Sequence, residues 1–494
     1  MKTQKGNPLR AQLAALLALP LLGLLAPLAQ AQNFESYYGE QPANDGGEDV
    51  KAVNRCPNKG SIVVGTRRVS NGIEARATRV DDNGVALWQR AYRIAGSNNS
   101  TANAVVELRD GSGFALTGAV RRSPNLVDTF IYVMRIDCDG KPLWARVLPN
   151  QATGNRGVGY DIVEAGGVTG VVSQLIVVGD ENLAAPAGAV HGRIARVTAA
   201  GGLVFNHAYS QPNQPLGLRF RALTENKAAN GGQPDIVVAG SAARGTSWNA
   251  DRRGLMFRVA FNGAPVCNAQ LGNADSINED YHGITALSAG NFAAESVLVG
   301  ATQAAIAPAG AASVYLTRFS AGACVPLVQS VWRDPQDGAI AYDVVESPPT
   351  TTLFPPSIVA TGTISGSVTQ GDGFALTAAD ANLNPVGGQF RYSTQSPLRE
   401  NLFAIDNKGT RFVLAGSTFT DWDGTGDNQD FYLVQTDPNK KTQCVRDWAH
   451  DWSPAQLPYE RFTPPVKVLQ GISAVEAPFV DTKDEGYCCR PDPN

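Results

Sequence analysis

An apolar run ending in glycine returns seven times along this chain. The runs are SIVVG (Gly65), FALTG (Gly118), LIVVG (Gly179), DIVVAG (Gly240), SVLVG (Gly300), SIVATG (Gly362) and FVLAG (Gly416), spaced 53, 61, 61, 60, 62 and 54 residues apart. A unit repeated at such a period cannot bury its apolar faces alone and must stack on its neighbours. Around each glycine stand four short runs of strand character, as in ANAVVEL, FALTGAV, FIYVMRID and PLWARVL of the second unit. RDGSG joins the first run to the second and DCDGK the third to the fourth, both suited to tight hairpins.

Four antiparallel strands per unit predict an all-β fold, a seven-bladed β-propeller of four-stranded antiparallel blades over residues 46–452. A β-helix would need far shorter coils, and an immunoglobulin-like array about 100 residues per domain. The 51 glycines, 30 prolines and only 17% charged residues fit many turns and strands. No long capped stretch of 3.6-residue periodicity is present. A propeller must join its two ends, and FESYYGE in segment 32–45 reads like the fourth strand ALWQRAY. It is expected on the outer edge of the last blade, beside or in place of QCVRDWAH (443–450), covering that edge. The proline-bearing tail at 453–494 is expected to run over the surface as irregular chain.

Asp110 to Gly118, Arg135 to Asp137 and Trp144 resemble the secreted bacterial β-propeller repeats written D-G-G-F-x-x-x-G followed by W-x-x-x-Y. Arg79, Asp81, Trp88 and Tyr92 carry the same pattern, and Gly416 with FYLVQTD carries it again with Gln435 in the cation's place. Units four to six lack the tryptophan, and Ala378 replaces the cation in unit six. The resemblance spans roughly residues 34–452 and implies architecture. It carries no catalytic residue, and such proteins are mostly of unassigned function.

Residues 1–31 read as a signal peptide: Lys2, Lys5 and Arg10, an apolar run broken by Pro20 and Gly23, then Ala29-Gln30-Ala31. Cleavage after Ala31 leaves a net charge of −7, no basic nucleic-acid footprint and no integral membrane span. The expected destination is secreted, or the periplasm or cell surface of a bacterium. Seven cysteines then suggest disulfides with at least one left over. Cys56, Cys138, Cys267, Cys324 and Cys444 lie at or beside turns on one face, where diverging blades argue against direct bonds between neighbouring turns. Cys488 and Cys489 in the tail are the partners expected to reach that face.

Candidate sites are few. Arg79, Arg135, Arg196, Arg258 and Arg318 recur in register, and pairing with acids of their own blades, such as Asp49, Glu107, Asp161 and Asp343, is preferred to a shared anion site. Asp421, Asp423 and Asp427 on a glycine-rich loop offer oxygens for Ca²⁺ without EF-hand spacing, the alternative being a solvated polar loop. Trp248 and Trp422 lie in long loops on the opposite face, where they could stack on a sugar, anchor a protein or pack under their own loops. His191, His207, His282 and His450 form no zinc motif, and no G-x-S-x-G elbow or other nucleophile is identifiable. The leading reading is a non-catalytic binding scaffold for a glycan or protein ligand at the long-loop face. The alternative is an extracellular glycan hydrolase or lyase, which would show convergent acids or a perturbed histidine in one central pocket.

Overall fold

The computed structural model describes residues 33–38, 44–70, 72–94, 97–122, 128–166, 173–184, 188–211, 216–226, 234–243, 252–272, 276–288, 295–304, 312–320, 322–333, 338–347, 357–365, 372–378, 383–384, 389–392, 400–418, 429–438, 442 and six short strands within 446–483. The described chain is all-β and antiparallel within each repeat unit. The expected signal peptide at 1–31, Trp248, Trp422, Asp421, Asp423, Asp427, Cys444, Cys488 and Cys489 lie outside the described residues.

Each repeat is a four-stranded meander. The first sheet comprises Asn44–Val53, Gly60–Val69, Gly72–Asp81 and Ala86–Ile94. The second has Ala104–Glu107, Phe114–Arg121, Thr129–Ile136 and Pro142–Leu148. The third has Arg156–Ala165, Gln174–Asn182, Val190–Thr198 and Leu203–Ser210. The fourth runs Leu218–Asn226, Asp235–Ala243, Arg252–Val259 and Pro265–Gly272, and the fifth Ser276–Ala286, Glu295–Ala304, Ser313–Ser320 and Val325–Arg333. The sixth holds Gly338–Glu346, Ile358–Ser365, Asp372–Ala378 and Gln389–Tyr392. In the seventh, Glu400–Lys408, Arg411–Thr418 and Asp430–Gln435 are completed by Phe34–Tyr38 from the other end of the chain.

Apolar residues on both faces of these strands have to be buried between sheets, and the core divides accordingly. One cluster joins the first and second sheets through Val64, Ala77, Leu116 and Met134, and another joins the third and fourth through Val178, Ile194, Leu223 and Phe257. The seventh and first share a cluster of the same kind, with Leu433, Val413, Val63 and Val50.

The W-x-x-x-Y motif does a specific job at these interfaces. The hairpin turn between the third and fourth strands of one sheet rests on the fourth strand of the sheet before it. Trp88 Nε1 donates to Cys138 O at 3.0 Å and Tyr92 Oη to Gly140 O at 2.8 Å. Trp144 Nε1 reaches Ala199 O at 3.1 Å, and Tyr209 Oη reaches Gly263 O at 2.7 Å. Tyr38 makes the same bond to Gly84 O, at 2.6 Å, where the seventh sheet meets the first. The turn residue is a left-handed glycine in four cases, Gly84, Gly140, Gly201 and Gly263, whose flat surface lies on Phe34, Trp88, Trp144 and Phe205 respectively.

Between the fourth and fifth sheets this joint is rebuilt in sulfur. Cys267 stands opposite Arg258 as Trp88 stands opposite Arg79, and Cys324 takes the left-handed turn position with φ of 50°. The two are bonded, with Cα atoms 6.0 Å apart. Cys56 and Cys138 bridge the first and second sheets with Cα atoms 5.6 Å apart. Direct bonds between neighbouring turns were not expected from diverging sheets. They form because each turn leans back onto the preceding sheet instead of standing apart from it.

Three of the arginines in register lie against acids of their own sheets, as expected, but against other acids than Asp49, Asp161 and Asp343. Arg258 and Arg318 bind Asp235 and Glu295 of their own second strands, the latter at 3.1 Å, and Arg135 lies 3.8 Å from Asp110. Arg135, Arg196 and Arg258 further donate to turn carbonyls of the next sheet, at Ala199, Phe261 and Gly322. Arg79 donates to main-chain carbonyls of Asn58, Ser61 and Val80. Gln435, in the cation's place, donates to Asp82 O of the first sheet at 3.0 Å.

Arg446–Trp448 of QCVRDWAH, expected as a fourth strand of the seventh sheet, and the tail at 453–494, expected as irregular chain, instead add short antiparallel strands to the fourth strands of six sheets in reverse order. Arg446–Trp448 pairs with the sixth, Ser453–Ala455 the fifth, Glu460–Phe462 the fourth, Lys467–Leu469 the third, Val475–Glu476 the second and Phe479–Lys483 the first.

If Cys267–Cys324 substitutes for an aromatic-on-glycine joint, Cys267→Ser with Cys324→Ser should cost about 2–5 kcal/mol in urea unfolding. Cys267→Trp with Cys324→Gly should recover a measurable part of that loss. Equal midpoints for the two double variants would show that the positions are not equivalent.

Candidate functional site

The repeated glycine builds the site. In six sheets the first strand carries a β-bulge opposite it, between Gly47 and Asp49, Gly159 and Asp161, Phe220 and Ala222, Tyr281 and Gly283, Ala341 and Asp343, and Leu402 and Ala404. The bulge pushes a carbonyl onto the neighbouring strand. A Cβ on Gly65, Gly179, Gly240, Gly300, Gly362 or Gly416 would collide with the carbonyl oxygen of Gly46, Val158, Arg219, Asp280, Ile340 or Asn401. Gly118 receives Thr101 O in the same way, although its first strand is interrupted there. A bulge leaves its extra residue unpaired and re-aims the side chain. Here the re-aimed residues are Glu48, Tyr160, Arg221, His282, Tyr342 and Phe403, joined by Asn103 from the interrupted strand.

All seven line one cavity of about 270 Å³. One arc of it is aromatic. His282 and Tyr342 have ring centroids 5.3 Å apart, and Tyr342 meets Phe403 edge-on at 5.2 Å. Arg221 lies 4.0 Å over the ring of Tyr160 and 3.8 Å from Asp180. Burial would lower the Arg221 guanidinium, but Asp180, Tyr160 and Asp280 hold it above its usual value. Burial pushes the carboxyl of Asp180 up to about 6 and pulls the imidazole of His282 down to about 4, so the ring is neutral at pH 7. Asn103 Nδ2 donates to Gly159 O at 2.7 Å.

A second cluster lies along the same wall. Burial alone would lower the Lys51 ammonium, but Asp49, Asp406, Asp343 and Asp161 surround it and carry it above its usual value. Lys51 Nζ is 3.3 Å from Asp49 Oδ1. Burial pushes Asp161 and Asp343 up to about 7 despite the lysine. These carboxylates are already engaged. Asp49 accepts from Val50 N at 2.7 Å and from Val105 N of the next sheet at 2.8 Å. Asp161 does the same with Ile162 and Leu223, and Asp343 with Val344 and Ile405. Asp406 accepts from Ala52 N at 2.8 Å, joining the seventh sheet to the first.

Glu48 differs from them. Its side chain is exposed within the mouth of the cavity, and the protein crowded around it pushes the carboxyl up to about 7. Among the described residues, no hydrogen bond or ion pair reaches it. The described residues contain no group of three or more His, Cys, Asp or Glu placed to hold a metal.

Of the residues singled out in the sequence, the structure brings Asp49, Asp161, Asp343 and His282 to this cavity. The loop candidates Trp248, Trp422, Asp421, Asp423 and Asp427 lie outside the described residues. Glu48, Tyr160, Arg221, Tyr342 and Phe403 were missed. The signal for them is positional, since each lies 13 to 20 residues before a repeat glycine, in the run pairing with it.

No family model and no curated protein matches this sequence. Among solved structures, an apocarotenoid oxygenase of Synechocystis, in mutant form, aligns with a TM-score of 0.41 and 8% identity over 88% of this chain and 97% of its own. The endosialidase of phage phi92 aligns with a TM-score of 0.37 and 9% identity over 86% of this chain and 72% of its own. Likeness at this level carries no argument about activity.

Raised carboxyl values have a testable sign. A carboxyl held at about 7 in the folded chain and at its ordinary 4.5 in the unfolded one binds the proton more tightly when folded. Its contribution to stability is complete below pH 4.5 and is lost as pH rises through 7. Glu48→Gln removes that loss. Relative to the parent, the variant should gain about 1 kcal/mol between pH 5 and pH 8 in urea unfolding, a figure discounted for water in the cavity. A difference independent of pH would show that Glu48 is solvated like a surface acid.

Proposed function

We propose that this chain is an exported, closed seven-bladed β-propeller that acts as a non-catalytic binding scaffold and takes a small glycan segment in the cavity between its first strands. Support for closure comes from Tyr38, Gln435 and Asp406, which repeat between the seventh and first sheets the contacts made at other interfaces. Two disulfides fit an oxidising compartment, extracellular or periplasmic.

The observation carrying the ligand reading is the pairing of aromatic faces with hydrogen-bonding groups in one small polar cavity. Tyr342 and Phe403 offer carbon surface of the kind that sugar rings stack on, while Glu48, Asn103 and His282 offer donors and acceptors for hydroxyls. A volume of about 270 Å³ suits one or two rings rather than a long chain. Asp49, Asp161 and Asp343 each hold two main-chain amides, and Asp406 holds Ala52, so they serve cohesion and are poor candidates for proton transfer.

The hydrolase or lyase reading has in its favour the convergent acids and the perturbed His282 expected of it, with Glu48 pushed up to about 7, where a general acid is most useful. It lacks a second unengaged carboxylate among the described residues lining the cavity.

A glycan array probed with the purified chain tests the proposal. The parent should retain one class of short glycan, and Phe403→Ala should weaken retention about tenfold without lowering the melting temperature. Failure to retain any glycan would refute the ligand class. Mass-spectrometric cleavage of a retained glycan, abolished by Glu48→Gln, would replace binding with catalysis.

A further inference from the structure

Two walls of the cavity carry an acid beside aromatic rings, and only one of them supplies its own cation. On the wall formed by the third and fourth sheets, Arg221 lies 4.0 Å over the ring of Tyr160 and 3.8 Å from the carboxylate of Asp180. A cation placed over a ring and beside a carboxylate draws on the ring's negative face and on opposite charge at once.

The wall formed by the sixth, seventh and first sheets has the rings and the acid. Tyr342, Phe403 and Glu48 stand at equivalent bulge positions of these three sheets and line the same cavity. The rings of Tyr342 and Phe403 have centroids 5.2 Å apart. Burial, together with the charge of Glu48 beside it, holds the Tyr342 hydroxyl above its usual value. The cations among the described lining residues are committed elsewhere. Arg221 belongs to the other wall, and Lys51 is surrounded by Asp49, Asp406, Asp343 and Asp161. His282, with its ring centroid 5.3 Å from that of Tyr342, is neutral at pH 7 because burial holds its imidazole down at about 4.

We propose that the ligand supplies the cation on this second wall: the glycan carries a protonated amine that sits on Tyr342 and Phe403 and donates to Glu48. The inference rests on the glycan reading of the cavity and narrows it to sugars with a free amine. An ammonium gives Glu48 a charge-assisted hydrogen bond, roughly twice as strong as the one a hydroxyl gives. From the two rings it gains what Arg221 gains from Tyr160. An N-acetylated sugar forgoes both, since its amide nitrogen carries no charge. An acidic sugar would set a second carboxylate against Glu48, while the Arg221 guanidinium that could balance it is held by Asp180.

A glycan array carrying glucosamine oligomers and their N-acetylated counterparts in matched linkages, with neutral and acidic glycans beside them, tests this at pH 7. The purified full chain should retain the free-amine forms at least about tenfold more strongly than the acetylated ones. Glu48→Gln should abolish that preference and leave the residual retention of acetylated forms within about twofold, with an unchanged circular dichroism spectrum. Equal or stronger retention of acetylated, neutral or acidic glycans by the parent would overturn the amine and leave the glycan reading standing. A preference for the amine that survives Glu48→Gln would overturn the assignment to this wall. Retention of no glycan, with heat released on titrating propylammonium into the chain, would leave a cation site and remove the glycan reading. Neither retention nor heat would overturn both.

Discussion

A carbonyl pressed against a glycine is the constraint from which the rest of this structure follows. At each repeat glycine the first strand approaches so closely that no side chain fits, and in six sheets it does so by bulging. The bulge turns one side chain per sheet away from the sheet's own faces. The glycine that makes the repeat visible thus determines the lining of the cavity, and the lining residues are left to vary: an acid, an amide, an arginine, a histidine and three aromatic rings. A symmetric scaffold acquires an asymmetric site at positions carrying little packing constraint.

Cohesion between sheets is handled elsewhere, by devices that repeat. Apolar clusters fill the space between consecutive sheets, turns sit on the aromatic residues of the preceding sheet, and first-strand carboxylates clamp amides of the next. The buried carboxylates carry a cost, visible as acids held near neutrality and only partly relieved by Lys51. Their two amide contacts each offset it and align neighbouring first strands to within hydrogen-bond reach. Where one device is missing, another takes its place: Cys267 and Cys324 stand in for an aromatic on glycine, and Gln435 for an arginine.

Much of the architecture was legible in the sequence, because period-2 alternation, turn glycines and a regular repeat all report on backbone geometry. The four strands per unit and the role of FESYY as a fourth strand could be read from their likeness to ALWQRAY. The cavity was not legible, since bulged residues have no common chemistry and Glu48 or Phe403 looks like any other strand residue. The disulfides were misread for a geometric reason: the lean of each turn onto its neighbour is a tertiary property that no strand pattern carries. The strands of the tail were hidden by its mixed composition, in which Pro454, Pro458, Pro464 and Pro465 argued for irregular chain.

Closure through the seventh and first sheets is the claim on which the site and the stability of the whole depend. Native-state hydrogen exchange of four amides tests it most directly. Val105, Leu223 and Ile405 each donate to a first-strand carboxylate of the preceding sheet, and Ala52 donates to Asp406 across the closure. If the closure is an interface like the others, Ala52 exchanges with an opening free energy close to that of the other three. Exchange at Ala52 faster by orders of magnitude, with the other three protected, would contradict the account.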